Sequence, residues 1–211
     1  IVPVVYFIIF AWVPLWWLQL SANNRPSFAN GQFLLFNTSE YLRTGGHELV
    51  KSRVLEDVWL GAEVYRQGGR VISVDLSHVV SCHMYTSLRS MWKGFAKSIY
   101  GVAMAAPFVL LGLLALAYFT LLAPCLLLLN ELVFSPNIAS WLFMLIFQVA
   151  ILYAMRWLVD SHFRSSIIST IFHPAGILFF MLDVLYVLIR RIMGAGVSWK
   201  ERYYSRETGI G

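Results

Sequence analysis

Three apolar runs, residues 102–129, 139–158 and 171–189, decide most of what this chain can fold into. Each is close to the ~20 residues that a helix needs to cross the hydrocarbon core of a bilayer. In that solvent every backbone N–H and C=O has to pair internally, so such runs are read as helices. The composition agrees: 13% of residues are charged, about half the usual share of a soluble domain. The chain is therefore read as a multi-pass integral membrane protein. Residues 1–20 are a further apolar segment with Pro3, Pro14, Trp12, Trp16 and Trp17. Tryptophans favour the headgroup level, so this segment reads as a full or partial crossing, or as a kinked helix lying in the interface. It has neither the basic start nor the small-residue cleavage site of a signal peptide. An apolar start without Met leads us to expect further protein sequence upstream.

The net charge is +5, and nine of the sixteen Lys and Arg residues lie between Arg25 and Lys97. By the positive-inside rule that side is cytoplasmic. The loop 130–138 has no Lys or Arg and belongs outside, and Arg156 and Arg164 return inside. A third full crossing would place Arg190, Arg191, Lys200, Arg202 and Arg206 outside, against the rule, so the last run is either re-entrant or an exception. The basic excess suits anionic lipid or a phosphorylated substrate. Its interleaving with membrane segments argues against nucleic acid as a partner. Cys82 and Cys125 have no metal-site spacing and read as free thiols.

The soluble part is short. Gly31 to Phe36 reads as a buried strand. Asn37-Thr38-Ser39-Glu40 reads as a capped helix start, and Gly45-Gly46 as its stop. Glu56-Asp57 then opens a helix over 58–67 that ends at Gly68-Gly69, and 70–76 alternates as a second strand. This is α/β organisation, but under ~70 residues it is marginal as a lone domain. Farther on, Tyr85, Arg89, Lys93 and Lys97 fall at helical spacing on one face. Leu88, Met91, Trp92, Phe95 and Ile99 fall on the other, which describes a helix lying on a membrane surface. Its basic stripe meets either anionic headgroups or an anionic substrate.

Glu56-Asp57 is the one pair of adjacent carboxylates in this segment. Acids in the first turn of a helix are stabilised by its dipole, so a plain capping role is one reading. Near or within the membrane runs, Asp160, His162, His173 and Asp183 are functional candidates by position. The simpler reading pairs Asp160 and Asp183 with Arg156, Arg164 or Arg190.

The order Gly31-Gln32-Phe33, Gly45-Gly46-His47, Glu56-Asp57, His83-Met84-Tyr85 and Trp92-Lys93-Gly94-Phe95-Ala96-Lys97 carries a resemblance. Apolar helices and Trp199-Lys200-Glu201-Arg202-Tyr203 follow. This order resembles the C-terminal part of the membrane-bound family 2 glycosyltransferases. Within them it is most similar to the branch of the ceramide glucosyltransferases and the carotenoid- and hopanoid-associated enzymes.

The resemblance implies a membrane α/β fold. A partial GT-A type α/β domain, the acceptor-side half, would occupy 21–82, with an amphipathic interface helix at 83–101. Transmembrane helices would fill 102–192 and a basic tail 193–211. It implies inverting transfer of one sugar from a nucleotide-sugar donor to a lipid acceptor at the cytoplasmic face. Asp57 would be the general base, which such a reaction needs, with Glu56 in support. Gly31, Gln32, Gly45, Gly46 and His47 would form the acceptor side. His83, Tyr85, Arg89, Trp92, Lys93 and Lys97 would form the diphosphate side. A divalent metal, Mg or Mn, would be held by an Asp-x-Asp upstream of Ile1, and no metal ligand is assigned within this chain.

The chain departs from the family in three places. His83 stands where relatives carry Arg, which puts in doubt a permanent charge on the diphosphate. The Gln-x-x-Arg-Trp of processive synthases is absent, which argues against a polymerase. Glu201 replaces the Gly of the C-terminal signature. The alternative to an enzyme is a non-catalytic multi-span membrane protein, a transporter component or scaffold, that depends on Asp183 and is indifferent to Asp57.

Overall fold

The computed structural model describes residues 2–12, 29–51, 53–134 and 141–205. The elements are α1 (Val2–Trp12), α2 (Thr38–Arg43), a short 3-10 turn (Gly46–Val50), α3 (Glu56–Arg66) and α4 (Leu88–Ala105). Then come α5 (Pro107–Phe134), α6 (Leu142–His162), α7 (Ile167–Ile171), α8 (His173–Ile192), β1 (Val197–Trp199) and β2 (Arg202–Tyr204). The chain divides into two compact units, one of residues 1–13 and 106–186, the other of 14–105 and 187–211.

Every regular element among the described residues of the first unit is a helix. Its core is Val4 and Phe7 of α1, Ala117, Leu121 and Leu122 of α5, Leu152 of α6 and Ile177 of α8. Gly176 lets α1 approach closely, since a Cβ there would lie 2.5 Å from Val4 Cγ2. Helices α5 and α6 are both long and apolar enough to cross a membrane. Phe108, Phe119, Leu132, Phe143 and Phe147 are exposed on them, an apolar exterior of the kind a soluble protein avoids. Helix α8 has 20 residues but carries Asp183, Arg190 and Arg191 and is not one of these two. The described part of the first apolar segment, α1, has 11 residues; residues 13–28, with Pro14, Trp16 and Trp17, lie outside the described residues.

Pro107 starts α5 at its first turn, where a missing N–H is tolerated. Pro124 lies inside the helix without ending it, and the helix continues to Phe134. The reason lies just before it. Residues Tyr118–Leu122 widen into a π-turn, in which Ala123 N–H donates to the Tyr118 carbonyl five residues back. A proline ring in a regular helix collides with the carbonyl four residues back, and a π-turn relaxes the spacing there.

Arg156 is fully buried in the first unit. Its guanidinium donates to Pro3 O (2.5 Å) and Ser169 Oγ (2.7 Å) and lies 3.1 Å from Asp160 Oδ1. Thr170 Oγ1 donates to Asp160 Oδ2 at 2.7 Å. The expected pairing of Asp160 is therefore present. That of Asp183 is not: both its oxygens are buried and have no hydrogen-bond partner among the described residues.

The second unit corrects the α/β expectation. The segments 31–36 and 70–76 belong to no sheet; among the described residues the only sheet is the antiparallel hairpin β1–β2, with Trp199 opposite Arg202. The period-two pattern is still visible as alternating exposure, with Phe33 and Leu35 exposed and Leu34 and Phe36 half-buried. Alternation dictates an extended chain, but a strand also needs a neighbour for its ladder. The tail expected at 193–211 is in part this hairpin. Its left-handed residue is Lys200 (φ 52°), not Glu201.

The two expected helices of this unit are present. Asn37 caps α2, accepting from the N–H groups of Ser39 and Glu40. Helix α3 starts two residues earlier than read, so Glu56 and Asp57 lie inside its first turn. It ends where expected, Gly69 and Gly68 N–H donating back to Val64 and Tyr65. Helix α4 runs from Leu88, five residues past the expected start at 83, to Ala105, four past the expected end. Cys82 and Cys125 are both free.

Asp160→Asn should strand a buried guanidinium, a loss of about 3 kcal/mol. It should lower the unfolding temperature in detergent well below that of wild type. The double substitution Arg156→Met with Asp160→Leu should recover much of that loss.

Candidate functional site

The candidate site is built on the turn that enters α3. Leu55, the residue before the helix, sits in the left-handed region at φ 62°, ψ 48°. That conformation costs a branched residue about 1–2 kcal/mol, and such strain persists only where the surroundings hold it. Here Val54 is buried, and Val54 and Leu55 both lie close to Gly101 of α4. A Cβ on Gly101 would meet Val54 Cγ1 at 3.0 Å and Leu55 Cδ1 at 3.4 Å.

From this turn the two carboxylates diverge. Glu56 reaches α4, where Lys97 Nζ donates to its two oxygens at 3.2 and 3.0 Å. Burial pushes the Glu56 carboxyl up, but its own backbone hydrogen bond, Lys97 and the charge of Arg202 outweigh that and hold it below the usual value. Asp57 turns the other way and takes the Gly31 N–H on Oδ2 at 2.6 Å. Its Oδ1 accepts from Val58 N–H at 2.9 Å. A Cβ on Gly31 would lie 3.0 Å from Asp57 Oδ2, so only glycine allows this approach without displacement. A carboxylate has about four acceptor positions, so two backbone donors orient Asp57 and leave it able to accept a proton.

The next residue, Gln32, extends the site to the start of α4, its Nε2 lying 2.9 Å from Met84 Sδ. Asp57, Gly31, Gln32 and Met84 are thus linked in one chain of contacts. His83, Arg89 and Lys93 are exposed and Trp92 is half-buried. Tyr85 lies flat against the backbone of α4, where a Cβ on Gly94 would come within 2.5 Å of its ring. The same ring stacks edge-on with Phe95 (5.4 Å) and Trp199 (6.0 Å). Lys97, assigned from sequence to the diphosphate side, is committed to Glu56, and its ammonium also lies 5.6 Å from the Tyr204 ring.

Gly45, Gly46 and His47 form a separate knot. Both glycines have positive φ (83° and 53°). A Cβ on Gly46 would lie 2.5–2.8 Å from the Tyr41 ring and hydroxyl. Tyr41 OH accepts the His47 N–H (3.0 Å) and lies 2.8 Å from His47 Nδ1. Phe36 packs edge-on against Tyr41 at 5.2 Å.

Sequence reasoning missed Tyr41, Leu55 and Met84. Nothing in local spacing marks a left-handed leucine or a hydroxyl that meets a residue six positions on. Gly94 did carry a signal, because a glycine inside a helix costs ~1 kcal/mol and marks a close approach. Glu56 is taken by Lys97, both Asp57 oxygens face backbone donors, and the described residues contain no group of three or more His, Cys, Asp or Glu able to hold an ion.

The Glu56–Lys97 pair gives a pH prediction. Because the folded-state value of Glu56 is lowered, its contribution is complete above the unfolded value of about 4.3 and is lost as pH falls through the lowered one. Screening limits the pair to about 0.5 kcal/mol. Between about pH 5 and 3, wild type should therefore lose slightly more thermal stability in detergent than Glu56→Gln does.

Compared with known proteins, the chain matches no family model, no curated protein and no solved structure.

Proposed function

We propose that the chain is the acceptor-side part of an inverting family 2 glycosyltransferase. It moves one sugar from a nucleotide-sugar to a hydroxyl of a lipid acceptor at the cytoplasmic face of a membrane. The observation that carries the reading is Asp57, a carboxylate in the first turn of α3 oriented by the Gly31 N–H, while its neighbour Glu56 is neutralised by Lys97. Of two adjacent acids, one is held by a cation and the other is left as the base. Helices α5 and α6, long and apolar enough for a membrane, fit a multi-pass protein whose acceptor is a lipid.

In this mechanism Asp57 takes the proton of the acceptor hydroxyl as that oxygen attacks the anomeric carbon. The bond from that carbon to the diphosphate oxygen breaks, and its electron pair leaves with the nucleoside diphosphate. The developing charge needs cations. Arg89 and Lys93, exposed on α4, supply them; Lys97 holds Glu56 in place. A divalent metal would supply further neutralisation of the same diphosphate charge, and none of the described residues is assigned to hold it.

One observation favours the alternative, a non-catalytic membrane component. Asp183 is a buried carboxyl with no partner among the described residues, and such a group inside an apolar segment is a functional candidate.

The test uses the full gene product that contains this chain, in membranes, with a panel of labelled nucleotide-sugars. Asp57→Asn should lower sugar transfer to lipid by at least ~100-fold with nucleotide-sugar binding kept. Gly31→Ala, which crowds Oδ2, should fall between Asp57→Asn and wild type. Equal transfer by Asp57→Asn would reduce the acid to a helix cap. Absence of transfer in wild type, with a phenotype confined to Asp183→Asn, would favour the alternative.

A further inference from the structure

We propose that Tyr41 is a positioning residue. It holds His47 in the neutral tautomer with the proton on Nε2, so that His47 offers a fixed N–H donor to an oxygen of the acceptor. The proposal rests on the reading that His47 belongs to the acceptor side, and deepens it.

The argument is one of hydrogen-bond bookkeeping. A tyrosine hydroxyl has one proton to donate and can accept. Here it accepts the backbone N–H of His47 at 3.0 Å and stands 2.8 Å from Nδ1 of the same residue. If Nδ1 is the bare nitrogen, the hydroxyl donates to it and both contacts are satisfied. If Nδ1 carries the proton, the hydroxyl has to accept twice, and its own proton has no other acceptor among the described residues. The geometry therefore selects Nδ1 as acceptor and Nε2 as the protonated nitrogen. This is the usual way in which a second contact to one ring nitrogen decides what the other can do.

The knot is also built to keep this contact. Gly46 allows the Tyr41 ring to press on the backbone beside His47, because any side chain there would enter the ring or its hydroxyl. Its φ of 53° is unfavourable for other residues. Phe36 closes the ring from the side, 5.2 Å from Tyr41 and 6.4 Å from His47. The His47 side chain itself remains exposed. A neutral N–H donor suits a hydroxyl or ether oxygen, the group that an uncharged lipid acceptor presents. It would select weakly against a cationic one, which it cannot pair with.

The experiment has a spectroscopic arm and a kinetic arm. With 15N-labelled histidine in the full gene product in detergent, at about pH 8 where histidine is neutral, wild-type His47 should show a bare Nδ1 and a protonated Nε2. Tyr41→Phe keeps the ring on Gly46 and removes only the hydroxyl. It should shift both nitrogens toward an exchange average of the two tautomers, with His47→Gln assigning the signals. In the membrane assay, Tyr41→Phe should lower transfer to the membrane's own lipid about five- to tenfold. His47→Gln, whose amide mimics Nε2, should retain more transfer than His47→Asn, whose amide mimics Nδ1. A protonated Nδ1 in wild type, ring signals unchanged in Tyr41→Phe, or His47→Asn outperforming His47→Gln would each overturn the proposal. No transfer by wild type would remove the glycosyltransferase reading, and with it the acceptor role of His47, while the 15N signals would still decide the tautomer.

Discussion

The second unit depends on a helix start that is made unfavourable locally and held tertiarily. Leu55 in the left-handed region turns the chain sharply enough that the first two residues of α3 leave in different directions. Without that turn, Glu56 and Asp57 would still be successive residues about 100° apart on one helix, but the helix would not present one to α4 and the other to Gly31. The strain is tolerated because Val54 and Leu55 occupy the space left by Gly101, and because the Glu56–Lys97 pair closes the same contact from the other side. Packing and charge are thus redundant there, which is how a residue of low intrinsic propensity stays in place. The hairpin β1–β2 adds to this: its Trp199 meets Tyr85, and its Tyr204 lies near Lys97. Several weak contacts on one helix therefore converge on the orientation of two carboxylates.

In the apolar unit the solvent sets a different constraint. Where no water is at hand, a helix can break its ladder only if something else takes the freed groups. The π-turn ahead of Pro124 does this within the helix itself, with Thr120 Oγ1 also donating to the Leu116 carbonyl at 2.7 Å. Arg156 follows the same rule for charge. It is placed against a carboxylate, a hydroxyl and a backbone carbonyl, so that its burial is compensated by three different acceptors. Asp183 breaks the pattern.

Helix positions were largely legible because their signals are local. The Asn37 cap, the Gly68-Gly69 stop and the long apolar runs all act through neighbours a few residues away. The two strand expectations failed for the opposite reason. Alternation at 31–36 and 70–76 specifies an extended backbone and two faces, but a sheet is a property of pairs, and the partner is not encoded in the segment. The same division holds in the candidate site. Adjacent acids before an apolar helix are visible in sequence; that Lys97 claims Glu56, across 41 positions, is not. Helical spacing put Arg89, Lys93 and Lys97 on one stripe with equal standing. Burial then separated them, because the stripe passes from an exposed surface into the contact with α3.

That separation bears on the proposed chemistry. Successive members of the stripe are about 6 Å apart along the axis of α4. Lys97 sits where the helix meets the acids, and its charge is cancelled within the protein. Lys93 and Arg89 lie one and two turns toward the start of the helix, and their charges face solvent. A base has to remain anionic to accept a proton, and a cation a few ångström from it would hold that proton off by stabilising the charged form. A leaving diphosphate needs the reverse, cations kept near it and not neutralised by the protein. Placing the cancelled lysine next to the acids and the uncancelled cations farther along the same helix meets both requirements with one element.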